Sequence, residues 1–128
     1  MAVKFLSEDW AQAVTDALNN HPGFKTSMGA ADLTIQFNTS DGPDGDVAYY
    51  LAASGGIAEL GLGQSRDPDV TVDQSHETAA AISKGELNTQ TAFMTGKIKV
   101  SGNLAKLMMH QKAISEWGSA VKDLDVEY

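Results

Sequence analysis

Cysteine is absent from this 128-residue chain, which removes disulfide scaffolds, thiol nucleophiles, zinc knuckles and iron–sulfur centres together and leaves a reducing interior open to it. Positive charge is scarce. Nine Lys and Arg stand against 17 Asp and Glu, a formal charge of −8, which opposes broad binding to phosphate backbones, so no nucleic-acid partner is expected. Long hydrophobic runs are missing too: the longest uncharged stretch, Val47–Ala58, falls well short of the roughly 20 apolar residues that span a bilayer and contains Gly55-Gly56. Met1-Ala2-Val3-Lys4-Phe5-Leu6 has neither the apolar segment nor the cleavage site of a secretory signal. Asp125-Val126-Glu127-Tyr128 is not a Ser-Lys-Leu type address. A cytoplasmic location is therefore expected.

What is present suffices for a core. Hydrophobic residues make up 42% of the chain and there are 12 Gly, so residues 1–128 read as one globular domain without linker, repeat or low-complexity tract. Ser7 is placed to cap a helix carrying Trp10, Val14, Ala17 and Leu18 at helical spacing, which Asn20-His21-Pro22-Gly23 stops. From Leu33 to Asn38 the pattern alternates strictly, as in a strand with one wet face. The turn formers of Asp41–Asp46 lead to strands over Val47–Ala53 and Ile57–Leu62, joined at Ser54-Gly55-Gly56 in an antiparallel meander. Val70 and Val72 alternate with Thr71 and Asp73 in a fourth strand. Ser75 then caps a helix to about Lys84 with Gly85 as its stop, and a short helix starts at Asn88. After Gly96, Lys97–Ser101 predicts a fifth strand with Ile98 and Val100 inward. The stripe Leu104, Leu107, Met108, Ile114, Trp117, Val121 and Leu124 predicts a closing helix, with Gly118 as its candidate break. Together these elements predict an α+β fold.

Catalytic and metal chemistry find little footing. Asp41, Asp44 and Asp46 do not match the oxygen spacing of a calcium loop and read as an acidic hairpin turn. The glycines at 55, 56, 61 and 63 lack the Lys-Ser/Thr pair of a phosphate loop, and no Gly-x-Ser-x-Gly elbow exists. His21, His76 and His110 show no metal-ligand spacing, so neither a metal nor a cofactor is expected. His76, near Asp73 and Glu77, is the best available acid–base candidate; its plainer reading is a solvated residue in the first turn of a helix.

Residues 84–112 combine five Lys against one Glu with Phe93, Met94, Leu104, Leu107, Met108 and Met109. Lys97 and Lys99 share a strand face, so with Lys106 they could meet lipid head groups or an acidic partner, or simply guard a solvated edge. The methionines suit either a gap-filled core or a cavity that accepts chains of varied shape.

Lys84-Gly85-Glu86-Leu87-Asn88 followed by TQTAFMTGKIKVSGN at 89–103 resembles the signature of the sterol carrier protein type two family, and Asp69-Val70-Thr71-Val72-Asp73 resembles the strand before it. The segment from Ser7 resembles that family's opening helix. The resemblance implies a five-stranded, largely antiparallel sheet covered on one face by about five helices, with an apolar tunnel between the layers. It also implies non-catalytic binding and transfer of a fatty acid, acyl-CoA, sterol or phospholipid, with no cofactor. Carried onto this chain, the expected lining is Phe93, Met94, Ile98, Val100, Leu104, Leu107 and Met108. Trp10, Phe37, Tyr49 and Leu51 join as ordinary inward residues, and Ile114 and Trp117 from the closing helix. Asn103 stands where many relatives have Asp, and the closing helix runs further than in the animal carriers, so that Ile114–Leu124 could close, reshape or fill the tunnel. Expected partners are a hydrophobic small molecule and, transiently, a membrane surface or a lipid-metabolising enzyme.

Burying a chain of about sixteen carbons gains on the order of 12 kcal/mol before association costs, at about 0.8 kcal/mol per methylene. Leaving a void of about 400 Å3 empty costs nearly 10 kcal/mol. The tunnel must therefore hold a ligand, partly collapse, or be filled from the closing helix. Two other readings stay open: an enzyme acting on a bound lipid or polyketide through Asp73 and His76, and a cavity-filled module that docks a partner through its Lys-rich segment.

Overall fold

The computed structural model describes residues 2–29, 32–42, 45–65, 67–84, 86–87, 89–121 and 124–127. The expected Gly85 stop, the Asn88 helix start, and Pro43 and Asp44 of the acidic turn lie outside the described residues.

The chain runs β1 (Val3–Lys4), α1 (Glu8–Asn19), α2 (Pro22–Met28), β2 (Leu33–Gly42), β3 (Gly45–Ser54), β4 (Ile57–Leu62), β5 (Val70–Ser75), α3 (His76–Ser83), α4 (Thr89–Met94), β6 (Ile98–Gly102), α5 (Leu104–Met109), α6 (Gln111–Val121) and β7 (Val126–Glu127). Five strands form one mostly antiparallel sheet in the order β4-β3-β2-β5-β6; only β2 and β5 run parallel. The fold is the expected α+β class, with six helices among the described residues. A parallel pair, Val3 opposite Val126, ties β1 to β7 and was not foreseen.

Local chemistry accounts for most of these boundaries. Ser7, Ser75 and Asn103 each accept, through a side-chain oxygen, the amide three residues on, at 3.2, 3.2 and 3.0 Å, and so start α1, α3 and α5. Gly55 and Gly56, with φ of 58° and 83°, form the two-residue turn between β3 and β4, a conformation that side chains resist. The first helix stops at Asn19, as Asn20-His21-Pro22-Gly23 predicts, and Pro22 then occupies the first turn of α2, where its missing N–H costs nothing. One expectation needs correction. The closing helix breaks at His110, not at Gly118, which lies within α6.

Helix α1 lies along the edge strand β4. Asn19 bridges both backbone groups of Ala58 at 2.8 Å each, and the Thr15 hydroxyl accepts the Leu60 amide at 2.9 Å. These bonds satisfy an edge that would otherwise invite another chain. The core between sheet and helices is anchored by Val14, Leu18, Leu33, Ile35, Leu51 and Val70, all nearly inaccessible. Among the described residues no helix is long and apolar enough to cross a membrane.

Candidate functional site

An apolar cavity of about 130 Å3 lies between the sheet and its helices. The sheet contributes Ile35 and Phe37 from β2, Tyr49 from β3, Val72 and Gln74 from β5, and Ile98 and Val100 from β6. Strand alternation puts them on one face. The roof comes from Trp10 and Val14 of α1, Ala79, Ile82 and Ser83 of α3, Leu107 of α5, and Ile114, Trp117, Gly118 and Val121 of α6, with Phe5 at one end. The α6 residues sit at i, i+3, i+4 and i+7, one stripe of the helix.

Aromatic rings form a continuous wall. Phe5 meets Trp10 edge-on at 5.1 Å, Trp10 meets Tyr49 at 5.2 Å, Tyr49 stacks on Phe37 at 4.8 Å, and Phe37 meets Trp117 at 5.5 Å. Such edge and offset contacts fix ring positions beyond simple burial. At the α6 side the cavity reaches the surface: Ile114, Trp117 and Val121 are half-buried and Gly118 is exposed. Glu116 holds α6 against the start of α2 through a hydrogen-bonding contact with His21 Nε2 at 2.8 Å.

Of the residues read from sequence as lining, the structure brings together Trp10, Phe37, Tyr49, Ile98, Val100, Leu107, Ile114 and Trp117. It does not bring the others there. Leu51 is buried in the core beside the cavity, and Phe93, Met94, Leu104 and Met108 are exposed, Met94 by 75%. The physical reason is that α4 and α5 are helices of only six residues; each lays its outer apolar residues toward solvent, and α5 buries none of its side chains fully. Sequence reasoning missed Phe5, Val14, Ile35, Val72, Gln74, Ala79, Ile82, Ser83, Gly118 and Val121. A signal existed for Gln74, because the alternation of Val70 and Val72 carries to it.

Asp73 and His76 are not brought together. Asp73 is exposed and accepts from Asn38 at 3.1 Å, while the half-buried His76 ring packs edge-on against Phe5 at 5.4 Å. No hydrogen bond joins the two among the described residues, so the acid–base pair expected of an enzyme is not assembled. No cluster of metal-ligating side chains occurs among the described residues. Lys97 and Lys99 are exposed, with Lys99 directly across from Asp73 in the sheet. Lys106 instead pairs with Asp69 at 3.1 Å. The Thr34 amide, with help from Lys106, holds the Asp69 carboxyl below the usual carboxylate range.

A five-stranded sheet roofed by helices over an apolar cavity defines a fold that can enclose a hydrophobic molecule. The family model described as the SCP-2 sterol transfer family matches residues 7–115, and this chain belongs to that family. It is 31% identical over 85 residues to sterol carrier protein 2 of Gallus gallus, a match that covers 66% of this chain but 16% of that protein. A fatty acid-binding protein of Yarrowia lipolytica is 28% identical over 107 residues, covering 80% of this chain and 83% of that protein. A crystal structure of sterol carrier protein 2 superposes with a TM-score of 0.80 at 20% identity, covering 94% of this chain and 99% of that one.

Proposed function

We propose that this chain binds and transfers a lipid or similar hydrophobic molecule without changing it chemically. The observation that carries the reading is the cavity: its wall contains aromatic, aliphatic and a few neutral polar residues, and no charged group lines it. Relatives named as a sterol carrier and as a fatty acid-binding protein support it. Catalysis is not part of the proposal. Lys97 and Lys99 would meet an anionic membrane during loading or release, and the chain would work in the cytoplasm as one domain.

At about 130 Å3 the cavity is close to the roughly 150 Å3 void that stays dry and admits benzene, and below the 300–1,000 Å3 of typical ligand sites. A long-chain lipid would therefore enlarge it on entry. The chain's two Trp residues, Trp10 and Trp117, both face the cavity and provide a direct reporter. Native mass spectrometry after mild purification should find a bound lipid, and brominated fatty acids should quench the tryptophan emission. A protein that stays empty and is not quenched by any amphiphile would overturn the carrier reading.

A further inference from the structure

The cavity wall is apolar apart from Ser83 on α3 and a buried amide on the sheet side. Gln74 is 7% exposed, lines the cavity, and sits at the end of β5 where the side chains of Val70 and Val72 also turn inward. Its amide nitrogen donates to the Tyr49 hydroxyl at 2.9 Å and to Thr39 Oγ1 at 3.4 Å, and both of those residues are themselves buried. These bonds use both N–H groups of the amide. Its oxygen accepts no hydrogen bond among the described residues. Gln74 is itself part of the cavity wall.

A buried acceptor left bare is costly, and a ligand group that completes it gains accordingly. The wall holds no Lys, Arg or His to meet a negative charge; His76 touches Phe5 from outside the lining. A carboxylate brought to Gln74 would lose its hydration with no cation in return. An alcohol hydroxyl both donates and accepts, so it completes the amide whichever end of that group faces it. Resting on the carrier reading, we propose that Gln74 and Tyr49 form a hydroxyl-binding subsite on the sheet side of the cavity, and that the protein selects an uncharged lipid alcohol inserted hydroxyl first. A fatty acid still binds, with its carboxylate outward at the α6 rim.

The test titrates tryptophan fluorescence with 1-dodecanol, its methyl ether and dodecanoate at neutral pH. The wild-type protein should bind the alcohol more tightly than the ether, which is the more apolar of the two but has no proton to donate. Gln74→Leu should lower the alcohol-to-dodecanoate preference about tenfold, the equivalent of one hydrogen bond at 1.4 kcal/mol per decade. Tyr49→Phe should lower it in the same direction, and the alcohol–ether comparison decides the matter even where a variant fails to fold. An ether that binds as tightly as the alcohol, or a folded Gln74→Leu protein with unchanged preference, would overturn the subsite and leave the carrier reading standing. Binding of none of the three compounds would overturn both.

Discussion

Gly118 occupies a position that a structural helix would give to another residue. Within a helix, Gly costs about 1 kcal/mol relative to Ala, because it surrenders more backbone freedom on folding. Here it lies on the cavity-facing stripe of α6, and a Cβ built on it meets no atom within 4 Å. Gly118→Ala should therefore stabilise the fold by about 1 kcal/mol, or about 4 °C in Tm for a chain of this size. Gly118→Leu keeps most of that helical gain and places three more carbons at the rim of a cavity of about 130 Å3. Its Tm should also rise, while affinity for a fluorescent fatty acid should fall tenfold or more. Calorimetry and a displacement titration on the same preparations read both effects. A lower Tm for Gly118→Ala would refute the open-space argument, and undiminished affinity of Gly118→Leu would show that lipids do not pass this rim.

Thr15→Ala and Asn19→Ala should each destabilise by about 1–2 kcal/mol in urea titrations, because they strip partners from the edge strand β4. Asn19→Ala removes both bonds to Ala58, and Thr15→Ala removes the bonds of its hydroxyl to Leu60 and Ala11. Lys97→Glu with Lys99→Glu should slow lipid transfer from anionic vesicles and leave transfer from neutral ones unchanged; equal slowing on both would make the two lysines merely solvated. Burial holds the Tyr49 phenol well above the ordinary tyrosine range, against opposing hydrogen bonds from Gln74 and Thr39. Since the folded protein keeps this proton after the unfolded chain releases it, the associated stability is complete below about pH 10 and is lost as pH rises beyond it, at up to 1.4 kcal/mol per unit. Tyr49→Phe should flatten that alkaline slope, measured by urea unfolding from about pH 9 to 11; an unchanged slope would contradict a buried, protonated phenol.

Strands were the most legible part of this sequence. Leu33-Thr34-Ile35-Gln36-Phe37 alternates in sequence, and a slip of one residue would exchange its faces, but the second face is not simply wet: Gln36 is buried there, its amide bonded to the backbone of Tyr49, Gly63 and Ser65. Helix boundaries were less legible because tertiary contacts set them. The break at His110 follows from α5 being pinned to the start of β5, with Asn103 N–H on the Asp69 carbonyl at 2.8 Å and Lys106 on its carboxylate, while α6 packs against α2. Gly118 is tolerated in mid-helix since it faces open space, which spacing alone does not reveal. The misplacement of Phe93, Met94, Leu104 and Met108 has a simple cause: a six-residue helix has too few positions for periodicity to tell its inner side, and apolar side chains also occur outside. Gln74 escaped notice because a polar residue ended the visible pattern while the strand itself continued.

The cavity's size determines which part of the molecule must yield. Left empty, about 130 Å3 forfeits about 3 kcal/mol at 24 cal/mol per Å3, a burden that an ordinary stability of 5–15 kcal/mol absorbs. A lipid-sized void would consume most of that stability, so the space for a full acyl chain has to open as the ligand enters. The sheet side will not open cheaply, since Leu33, Ile35, Leu51 and Val70 are fully packed. On the opposite side α5 buries no residue and α6 only Ala113; Ile114, Trp117 and Val121 rest half-buried over the cavity, and the His21–Glu116 pair is partly exposed. A partly exposed side-chain contact of that kind resists separation by at most about 1 kcal/mol. Local opening follows the least buried contacts, so hydrogen exchange should find α5 and α6 opening before the sheet, and added lipid should slow that exchange by covering the apolar surface they expose; equal protection of helices and sheet would contradict the argument.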